Sequence, residues 1–343
     1  MRIAIVNDLA LAREAIRRVI LNSKAHEIAW TASDGHQALD LCLQDRPDLI
    51  LMDLFMPRMD GVAAVRRIMS QCPCAILVVT GSVTGHCAQV FEAMGAGALD
   101  AVNTPVLEWP GSCKGASNLL AKIETIRKLL GVPPSKIIQE TPGSPDSDPA
   151  LGRLIAIGAS AGGPAALARI LSYLPATLGS AIVIIQHVDA QFAAALANWL
   201  DDQSPLRVRL AQDGDVPAPG TILLAGRDQH LVLAPNGRLA YTEQPEDHPY
   251  RPSVDVFFNS VRQNWTGRIT GLLLTGMGRD GARGLLNLRQ SGHHTIAQDQ
   301  ASSAVYGMPR AAAHLKAAAE ILNLDQIGLR LRSLGALVPH DHA

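Results

Sequence analysis

The feature that most constrains this chain is an alternation of short apolar runs with amphipathic stretches, which occurs twice along the sequence. In the first part the apolar runs span residues 2–6, 27–32, 49–52 and 75–79. The stretches between them have the apolar spacing of helices. This alternation is typical of βαβ units, in which helices cover both faces of a parallel sheet. The pattern therefore predicts a doubly wound α/β fold.

A second alternation begins at Leu151, after a segment rich in Pro, Gly, Ser and Asp. Such a segment buries little apolar surface, so we predict that residues 131–150 are a linker between domains at 1–130 and 151–343. The second domain is also predicted to be doubly wound α/β. Short apolar runs between residues 207 and 239 are separated by Asp-Gly, Pro-Gly and Asn-Gly, which predicts an antiparallel insert or edge.

Composition excludes several classes of protein. The chain is 48% hydrophobic and 18% charged, as expected for a globular protein. Its net charge of −1 comes without a Lys/Arg cluster, so nucleic acid is not an expected partner. No apolar run approaches the roughly 20 residues that span a bilayer, and the first residues do not resemble a signal peptide. We expect a cytoplasmic protein without direct membrane insertion.

Polar side chains follow three of the strands predicted in the first domain. Asp8 comes after the first strand, Asp53 after the third and Thr80 after the fourth. The carboxyl ends of parallel strands meet at one edge of a sheet, where ligands bind. Two carboxylates at that edge would hold a hard cation such as Mg²⁺. Alternatively, each Asp only caps the helix that follows it.

The segment ILMDLFMPRMDG resembles the phosphoacceptor segment of response-regulator receiver domains, and IVNDLALA and VVTGS resemble its flanking motifs. The resemblance implies a flavodoxin-like sheet with Asp53 as the phosphoacceptor. It also implies Mg²⁺ ligands at Asp8, Asp53 and the Phe55 carbonyl, with Thr80 sensing the phosphoryl group. The family's usual pair of acids after the first strand is here Asn7-Asp8, which predicts weakened metal binding.

The segment DAVNTP departs further from ordinary receivers. Ala101 stands where they carry a bulky switch residue, and Thr104 stands where they carry a lysine. Without the lysine, the charge that pairs with the phosphoryl oxygens is missing, so phosphorylation is predicted to be poorly coupled to a conformational change. Lys114 and Arg66 remain alternative sources of charge that the spacing does not support.

The run LIAIGASAGGP places Ser160 at the end of an apolar strand in a G-x-S-x-G pattern. Glycines on both sides allow a sharp turn that exposes the hydroxyl, and Pro164 suits the first turn of a helix. Ser160 would otherwise be an N-cap in a turn of small residues. A dinucleotide site is disfavoured because Ser replaces the second glycine of its fingerprint, and a P-loop is excluded because G-K-[ST] is absent.

Two further strand ends supply the partners of an acyl-transfer site. His187 closes the strand AIVIIQH, and Asp280 follows LLLTGMGR at the start of a helix. On one sheet edge with Ser160 they would form a nucleophile, a base and an orienting acid. The alternatives are that His187 is a structural residue and that Asp280 is only a helix cap.

The glycine–serine turn, the QH segment and TGMG-x-DG resemble the catalytic domain of the chemotaxis methylesterase family CheB, as do RPSVDVFF and AQDQASSAVYGMP. The resemblance implies a protein-glutamate methylesterase with additional protein-glutamine deamidase activity and no cofactor in the esterase domain. It assigns Ser160, His187 and Asp280 to catalysis and the amides of Ala161 and Met277 to the oxyanion hole.

The resemblance also implies partners. These are methyl-accepting chemotaxis-type receptors, methylated on cytoplasmic helices, and a CheA-type histidine kinase. The departures in the receiver look like those of the CheB homologue in Wsp-type surface-sensing systems. Two other functions remain open: a catalytically weak regulator that binds receptors without hydrolysis, and a nucleotide-binding oxidoreductase.

Overall fold

The computed structural model describes residues 1–23, 25–83, 85–108, 112–130, 152–246, 248 and 250–334. The chain separates into two compact units, Met1–Ser135 and Lys136–Ala343. The predicted linker at 131–150 lies outside the described residues. No helix within the described part of the chain is both long and apolar enough to cross a membrane.

The first unit contains a five-stranded parallel sheet in the order β2-β1-β3-β4-β5. This is the strand order of flavodoxin-like folds, so the predicted fold of this part is confirmed. The elements are β1 (Arg2–Val6), α1 (Ala10–Asn22), β2 (Glu27–Ala32), α2 (Gly35–Gln44), β3 (Leu49–Met52), α3 (Gly61–Gln71), β4 (Ala75–Thr80), α4 (Cys87–Gly95), β5 (Asp100–Asn103), β6 (Val106–Glu108), β7 (Ser112–Lys114) and α5 (Ala116–Leu130).

Burial explains why the central strands read as continuous apolar runs. Every residue of β3 and β4 is buried, as expected for strands covered by helices on both faces. Helices α2 and α3 begin where Asp34 and Asp60 accept hydrogen bonds from backbone amides of the first turn. The antiparallel pair β6–β7 was not predicted, because three-residue strands are too short to give an alternating pattern.

The second unit contains a seven-stranded parallel sheet in the order β10-β11-β9-β8-β14-β15-β16, with helices between its strands, which confirms the α/β prediction. The elements are β8 (Arg153–Ala159), α6 (Gly163–Leu171), β9 (Ser180–Gln186), α7 (Ala190–Gln203), β10 (Arg207–Leu210), β11 (Thr221–Leu224), β12 (His230–Leu233), β13 (Leu239–Thr242), α8 (Val254–Asn264), β14 (Arg268–Leu273), α9 (Ala282–Gln290), β15 (His294–Gln298), α10 (Met308–His314), β16 (Glu320–Leu322) and α11 (Leu324–Leu334).

The predicted antiparallel insert is only partly present. β12 and β13 form the antiparallel hairpin, with Asn236-Gly237 in its turn. β10 and β11 instead pair in parallel at the edge of the main sheet. Asp213-Gly214 and Pro219-Gly220 therefore lie in the crossover between two parallel strands. The prediction was wrong here because a turn signal indicates a change of chain direction and does not indicate how the flanking strands pair.

A residue with left-handed backbone follows the end of α10. The helix ends at His314, and Lys316 has a positive φ of 54°. The chain then returns to the sheet, where the Ala319 amide donates to the Thr295 carbonyl over 2.9 Å. β16 and α11 follow.

The strand order places one crevice at the carboxyl ends of three strands. β8 lies between β9 on one side and β14 on the other, so the chain winds in opposite directions from this point. Such a switch point opens a crevice above the sheet. Ser160, His187 and the segment leading to Asp280 follow these three strands.

Candidate active site

Ser160 lies in a tight turn that the backbone holds from several sides. Its amide donates to the Thr275 carbonyl over 3.0 Å, and its carbonyl accepts from the Gly163 amide over 2.7 Å and from Gln186 Nε2 over 2.9 Å. Gly162 has a φ of 75°, and a Cβ there would lie 2.5 Å from Ala304 Cβ. The turn therefore requires glycine and fixes the partly exposed serine.

His187 follows the strand that pairs with the strand before Ser160, and its ring is hydrogen-bonded to Asp280 and not to Ser160 in the described chain. Ala159 and Gln186 are paired in neighbouring strands, and Ser160 and His187 come directly after these two residues. Nε2 lies 2.8 Å from Asp280 Oδ2. Nδ1 is buried and has no hydrogen-bond partner among the described residues. With Nε2 occupied by the carboxylate, Nδ1 is the nitrogen that can accept a proton.

The carboxylate of Asp280 is fully buried at the N-terminus of α8. Oδ1 accepts from Ser253 Oγ over 2.9 Å and from the Asp255 amide over 3.1 Å. Oδ2 accepts from the Val254 amide over 2.7 Å as well as from His187. Burial raises the pKa of Asp280, but hydrogen bonds and charge from His187 and the two amides outweigh it, so the pKa lies below its ordinary value. Asp280 is thus ionised, and it holds Nε2 of His187.

The two amides predicted for an oxyanion hole belong to Ala161 and Met277, the residues that follow Ser160 and Gly276. Neither the Ala161 nor the Met277 amide donates a hydrogen bond within the described chain. The Ala161 carbonyl accepts from Thr275 Oγ1 over 2.9 Å, and the Gly276 carbonyl accepts from the Met308 amide over 2.9 Å. A Cβ at Gly276 would lie 2.7 Å from Ser160 Cβ. The close approach of the two loops therefore depends on this glycine.

The acidic pocket of the first unit is built around Asp53, which is 7% exposed. Its Oδ1 accepts from the Leu54 amide over 2.7 Å and its Oδ2 from Asn7 Nδ2 over 2.8 Å. Asp8 is close enough for its charge to raise the pKa of Asp53. Asn7 therefore donates to the predicted phosphoacceptor, where the usual acid would repel it.

Thr80 and Thr104 lie side by side at the same edge of the sheet. The Thr104 amide donates to the Thr80 carbonyl over 2.9 Å. Thr80 Oγ1 is buried and has no hydrogen-bond partner in the described chain. The ring of His86 lies 4.2 Å from that of the exposed Phe55, and His86 lowers the pKa of Asp53 less than the Leu54 and Phe55 amides do. Sequence reasoning considered other cations and missed His86.

Two family models match separate parts of the chain. The family model "CheB methylesterase" matches residues 155–331, and the model "Response regulator receiver domain" matches residues 3–108. The first of these covers more than half of the chain. The chain belongs to the CheB methylesterase family. Sequence resemblance had suggested this membership, and the matches confirm it.

Full-length relatives support the assignment to the CheB family. One is the "Protein-glutamate methylesterase/protein-glutamine glutaminase 2" of Burkholderia pseudomallei (strain 1710b), 55% identical over 97% of either chain. Another is the "Protein-glutamate methylesterase/protein-glutamine glutaminase" of Mesorhizobium japonicum, 53% identical over 96% of this chain and 98% of the other. The crystal structure of the Thermotoga maritima CheB methylesterase catalytic domain is 33% identical, with a TM-score of 0.51, and covers 53% of this chain and 98% of its own.

In this CheB-family chain, His248, Asp255 and Asp280 lie close enough together to be considered as metal ligands. The hydrogen bonds around them argue against this role. Both oxygens of Asp280 already accept from two donors each, and Ser253 Oγ lies between Asp280 and His248, 3.3 Å from Nε2. Asp255 Oδ1 accepts from the Gly284 amide over 2.6 Å. Oxygens that a metal would need as ligands therefore already accept hydrogen bonds from the protein.

The pKa of Asp53 predicts a pH dependence of receiver stability. Burial raises this pKa to about 6, and the charge of Asp8 adds to the rise against the Leu54 and Phe55 amides. In an unfolded chain the pKa of an Asp is about 4. Because folding favours the protonated form of Asp53, the stabilising contribution of this group to the folded receiver is fully present below pH about 4. It is lost as the pH rises through about 6. We expect a loss of about 2–3 kcal/mol in unfolding free energy from this group.

Hydrogen exchange of receiver peptides in the full-length protein measures this effect. The unfolding free energy should fall between pH 4 and pH 7 in the wild type, and the decrease should be smaller in Asp53→Ala. An equal decrease in both proteins would contradict the assignment to Asp53.

Sequence reasoning missed three residues that position the catalytic candidates. Gln186 Nε2 bonds to the carbonyls of both Ser160 and His187. Ser253 caps α8 and donates to Asp280. Tyr250 stacks on His187 with ring centroids 4.8 Å apart. The QH and RPSVD motifs contain two of these residues, but no spacing rule indicates what they contact.

Proposed function

We propose that this chain is a protein-glutamate methylesterase, with protein-glutamine deamidase activity as a second reaction of the same site. The observation that carries the proposal is the hydrogen bond from His187 Nε2 to the buried Asp280, next to a serine held in a glycine turn. The names of the relatives in the CheB family give the same two activities. Residues 151–343 would be the catalytic domain, 131–150 a linker and 1–130 the receiver.

In the first half-reaction, Ser160 is the nucleophile and His187 the base. Nδ1 of His187 takes the hydroxyl proton as Ser160 Oγ bonds to the carbonyl carbon of the glutamate methyl ester. The carbonyl oxygen becomes an oxyanion, to which the amides of Ala161 and Met277 donate. Asp280 stabilises the imidazolium. The imidazolium then gives its proton to the departing methoxide, and methanol leaves an acyl-enzyme.

In the second half-reaction, water replaces the alcohol. His187 takes a proton from water as the oxygen attacks the acyl-enzyme carbonyl, and the proton passes to Ser160 Oγ as the acyl bond breaks. The product is glutamate. With glutamine as substrate, the same sequence releases ammonia. This reaction is slower because the amide has the poorer leaving group.

For the receiver we propose Asp53 as phosphoacceptor and Thr80 as the hydroxyl that senses the phosphoryl group. The buried, unpaired Oγ1 of Thr80 supports the second role. Asp8, Asp53 and the Phe55 carbonyl are oxygen donors of the type that Mg²⁺ prefers, although Asn7 occupies one oxygen of Asp53. When bound, Mg²⁺ would neutralise charge on the phosphoryl oxygens. The proposed partners are methyl-accepting chemotaxis-type receptors and a CheA-type histidine kinase, in the cytoplasm.

Methanol release from methylated receptor fragments tests the esterase, and fluorophosphonate labelling tests the nucleophile. We expect methanol release and labelling at Ser160 in the wild type, and neither in Ser160→Ala. A receptor-binding regulator without hydrolysis would bind the fragments and release no methanol. An oxidoreductase would bind a nucleotide and would not be labelled.

The effect of phosphorylation can be predicted from the pocket around Asp53. Because Thr104 stands in place of the lysine, the phosphoryl group has no ammonium to pair with. That ion pair would be the contact that differs between the two conformational states of the receiver. We expect saturating acetyl phosphate and Mg²⁺ to raise methanol release by less than about threefold, with Asp53→Ala close to the unstimulated wild type. A strong activation that disappears in Asp53→Ala would show that another cation replaces the lysine.

A further inference from the structure

Tyr250, an aromatic side chain in the site, takes no part in the proposed reaction. The ring of Tyr250 lies parallel to the imidazole of His187, with an interplanar angle of 3° and centroids 4.8 Å apart. Both side chains are partly buried. The distance is that of a stacked pair, so the phenol covers one face of the catalytic base.

We propose that Tyr250 is a positioning residue that fixes the ring plane of His187 and stabilises its protonated form. The inference rests on the proposed function, because His187 gains a proton only when Ser160 attacks an acyl group. Tyr250 touches the base and not the reacting atoms.

The hydrogen bonds of His187 explain why such a contact is needed. Nε2 is held by Asp280 over 2.8 Å, while Nδ1 has no hydrogen-bond partner in the described part of the chain. Apart from its covalent link to Cβ, the ring is held by this one hydrogen bond, so it can pivot about the Cβ–Cγ bond and move Nδ1. A parallel ring on one face limits this pivoting. Once His187 is protonated, the electron-rich face of the phenol also attracts the positive charge.

Tyr250 is itself held at both ends. Its amide lies 3.4 Å from Nδ1 of His248, whose Nε2 lies 3.3 Å from Ser253 Oγ. At the far end, a Cβ at Gly278 would lie 2.5 Å from Tyr250 Oη. The hydroxyl therefore extends to the loop that carries the Met277 amide. The stacked geometry follows from these contacts as well as from the attraction between the rings.

Two substitutions distinguish the effect of the aromatic ring from that of its hydroxyl. Tyr250→Leu removes the π face and keeps an apolar side chain, whereas Tyr250→Phe keeps the face. Tyr173→Leu is the matched control, since Tyr173 packs against Gly328 and Arg169. The measurements are kcat and KM for methanol release, and the rate at which a fluorophosphonate labels Ser160. Thermal unfolding checks that each variant is folded, and Tyr250→Met replaces the leucine variant if that one is not.

We expect Tyr250→Leu to lower kcat about tenfold, equivalent to about 1.4 kcal/mol, with KM changed less than about twofold. Labelling should slow by a similar factor. Tyr250→Phe and Tyr173→Leu should stay within about twofold of the wild type. Wild-type kcat and labelling in Tyr250→Leu would overturn the proposal, as would an equal loss in Tyr250→Phe, which would assign the effect to the hydroxyl.

The two measurements distinguish this inference from the proposed function. If the wild type is labelled at Ser160 but releases no methanol, the proposed substrate is wrong, and the labelling rates still decide the role of Tyr250. If the wild type is not labelled, His187 does not activate Ser160, and both proposals are overturned.

Discussion

Replacing Ser160 by Ala should lower kcat for methyl-ester hydrolysis by about four to six orders of magnitude. The variant has no oxygen to form the acyl-enzyme. The only remaining catalysis would come from substrate binding and from the Ala161 and Met277 amides. The turn itself should be preserved, because the hydrogen bonds that hold it use the backbone of Ser160 and not its hydroxyl.

His187→Ala should cause a similar loss, since the serine is a weak nucleophile without its base. The combined variant should be little slower than either single one, because residues that act as a unit show strongly non-additive effects. Methanol release is measured for all three proteins beside Ser172→Ala, a serine on the same unit whose hydroxyl donates to the Arg169 carbonyl. Normal turnover in Ser160→Ala would show that the nucleophile is elsewhere.

The fold was largely predictable because parallel sheets leave a clear pattern in sequence. Strands buried on both faces appear as short apolar runs, such as LILM at Leu49–Met52 and SAIVIIQ at Ser180–Gln186. The same physics made the site predictable in outline. Strands that run in one direction end at one edge, so polar residues after them were expected to meet. The structure brings His187 and Asp280 into contact there.

What the sequence did not predict depends on packing between distant segments. The partners of Asp280 come from Ser253, Val254 and Asp255, which precede it by more than twenty residues and are brought to it by the docking of α8. Which nitrogen of His187 faces the carboxylate is set by the ring's rotation and has no sequence signal. The parallel pairing of β10 with β11 likewise depends on the neighbouring strand β9.

Asp280→Asn should have the second largest effect, and the four hydrogen bonds to the carboxylate explain why. Each oxygen accepts from two donors, Oδ1 from Ser253 and Asp255 and Oδ2 from Val254 and His187. An asparagine has one oxygen and one NH₂ group, so one pair of donors must face another donor. A buried amide left without an acceptor costs about 1–3 kcal/mol.

If the NH₂ group faces His187, Nε2 must become an acceptor and the ring proton moves to Nδ1. In the proposed mechanism Nδ1 takes the proton of Ser160, so this tautomer could not act as the base. If the NH₂ group faces Ser253 and Asp255, the tautomer is kept but the negative charge that stabilises the imidazolium is lost. Both orientations reduce catalysis, and we expect kcat to fall by about 10⁴-fold.

Asp255→Asn is the matched control for this prediction. It makes the same chemical change at the second residue of α8, where Oδ1 of Asp255 accepts from the Gly284 amide and has no hydrogen bond to His187 in the described chain. We expect its kcat to stay within about threefold of the wild type, while both variants lose about 1 kcal/mol of stability. ¹⁵N NMR of His187 identifies which nitrogen carries the proton in Asp280→Asn. A kcat for Asp280→Asn within tenfold of that for Asp255→Asn would mean that Asp280 only caps α8, and that another group orients His187.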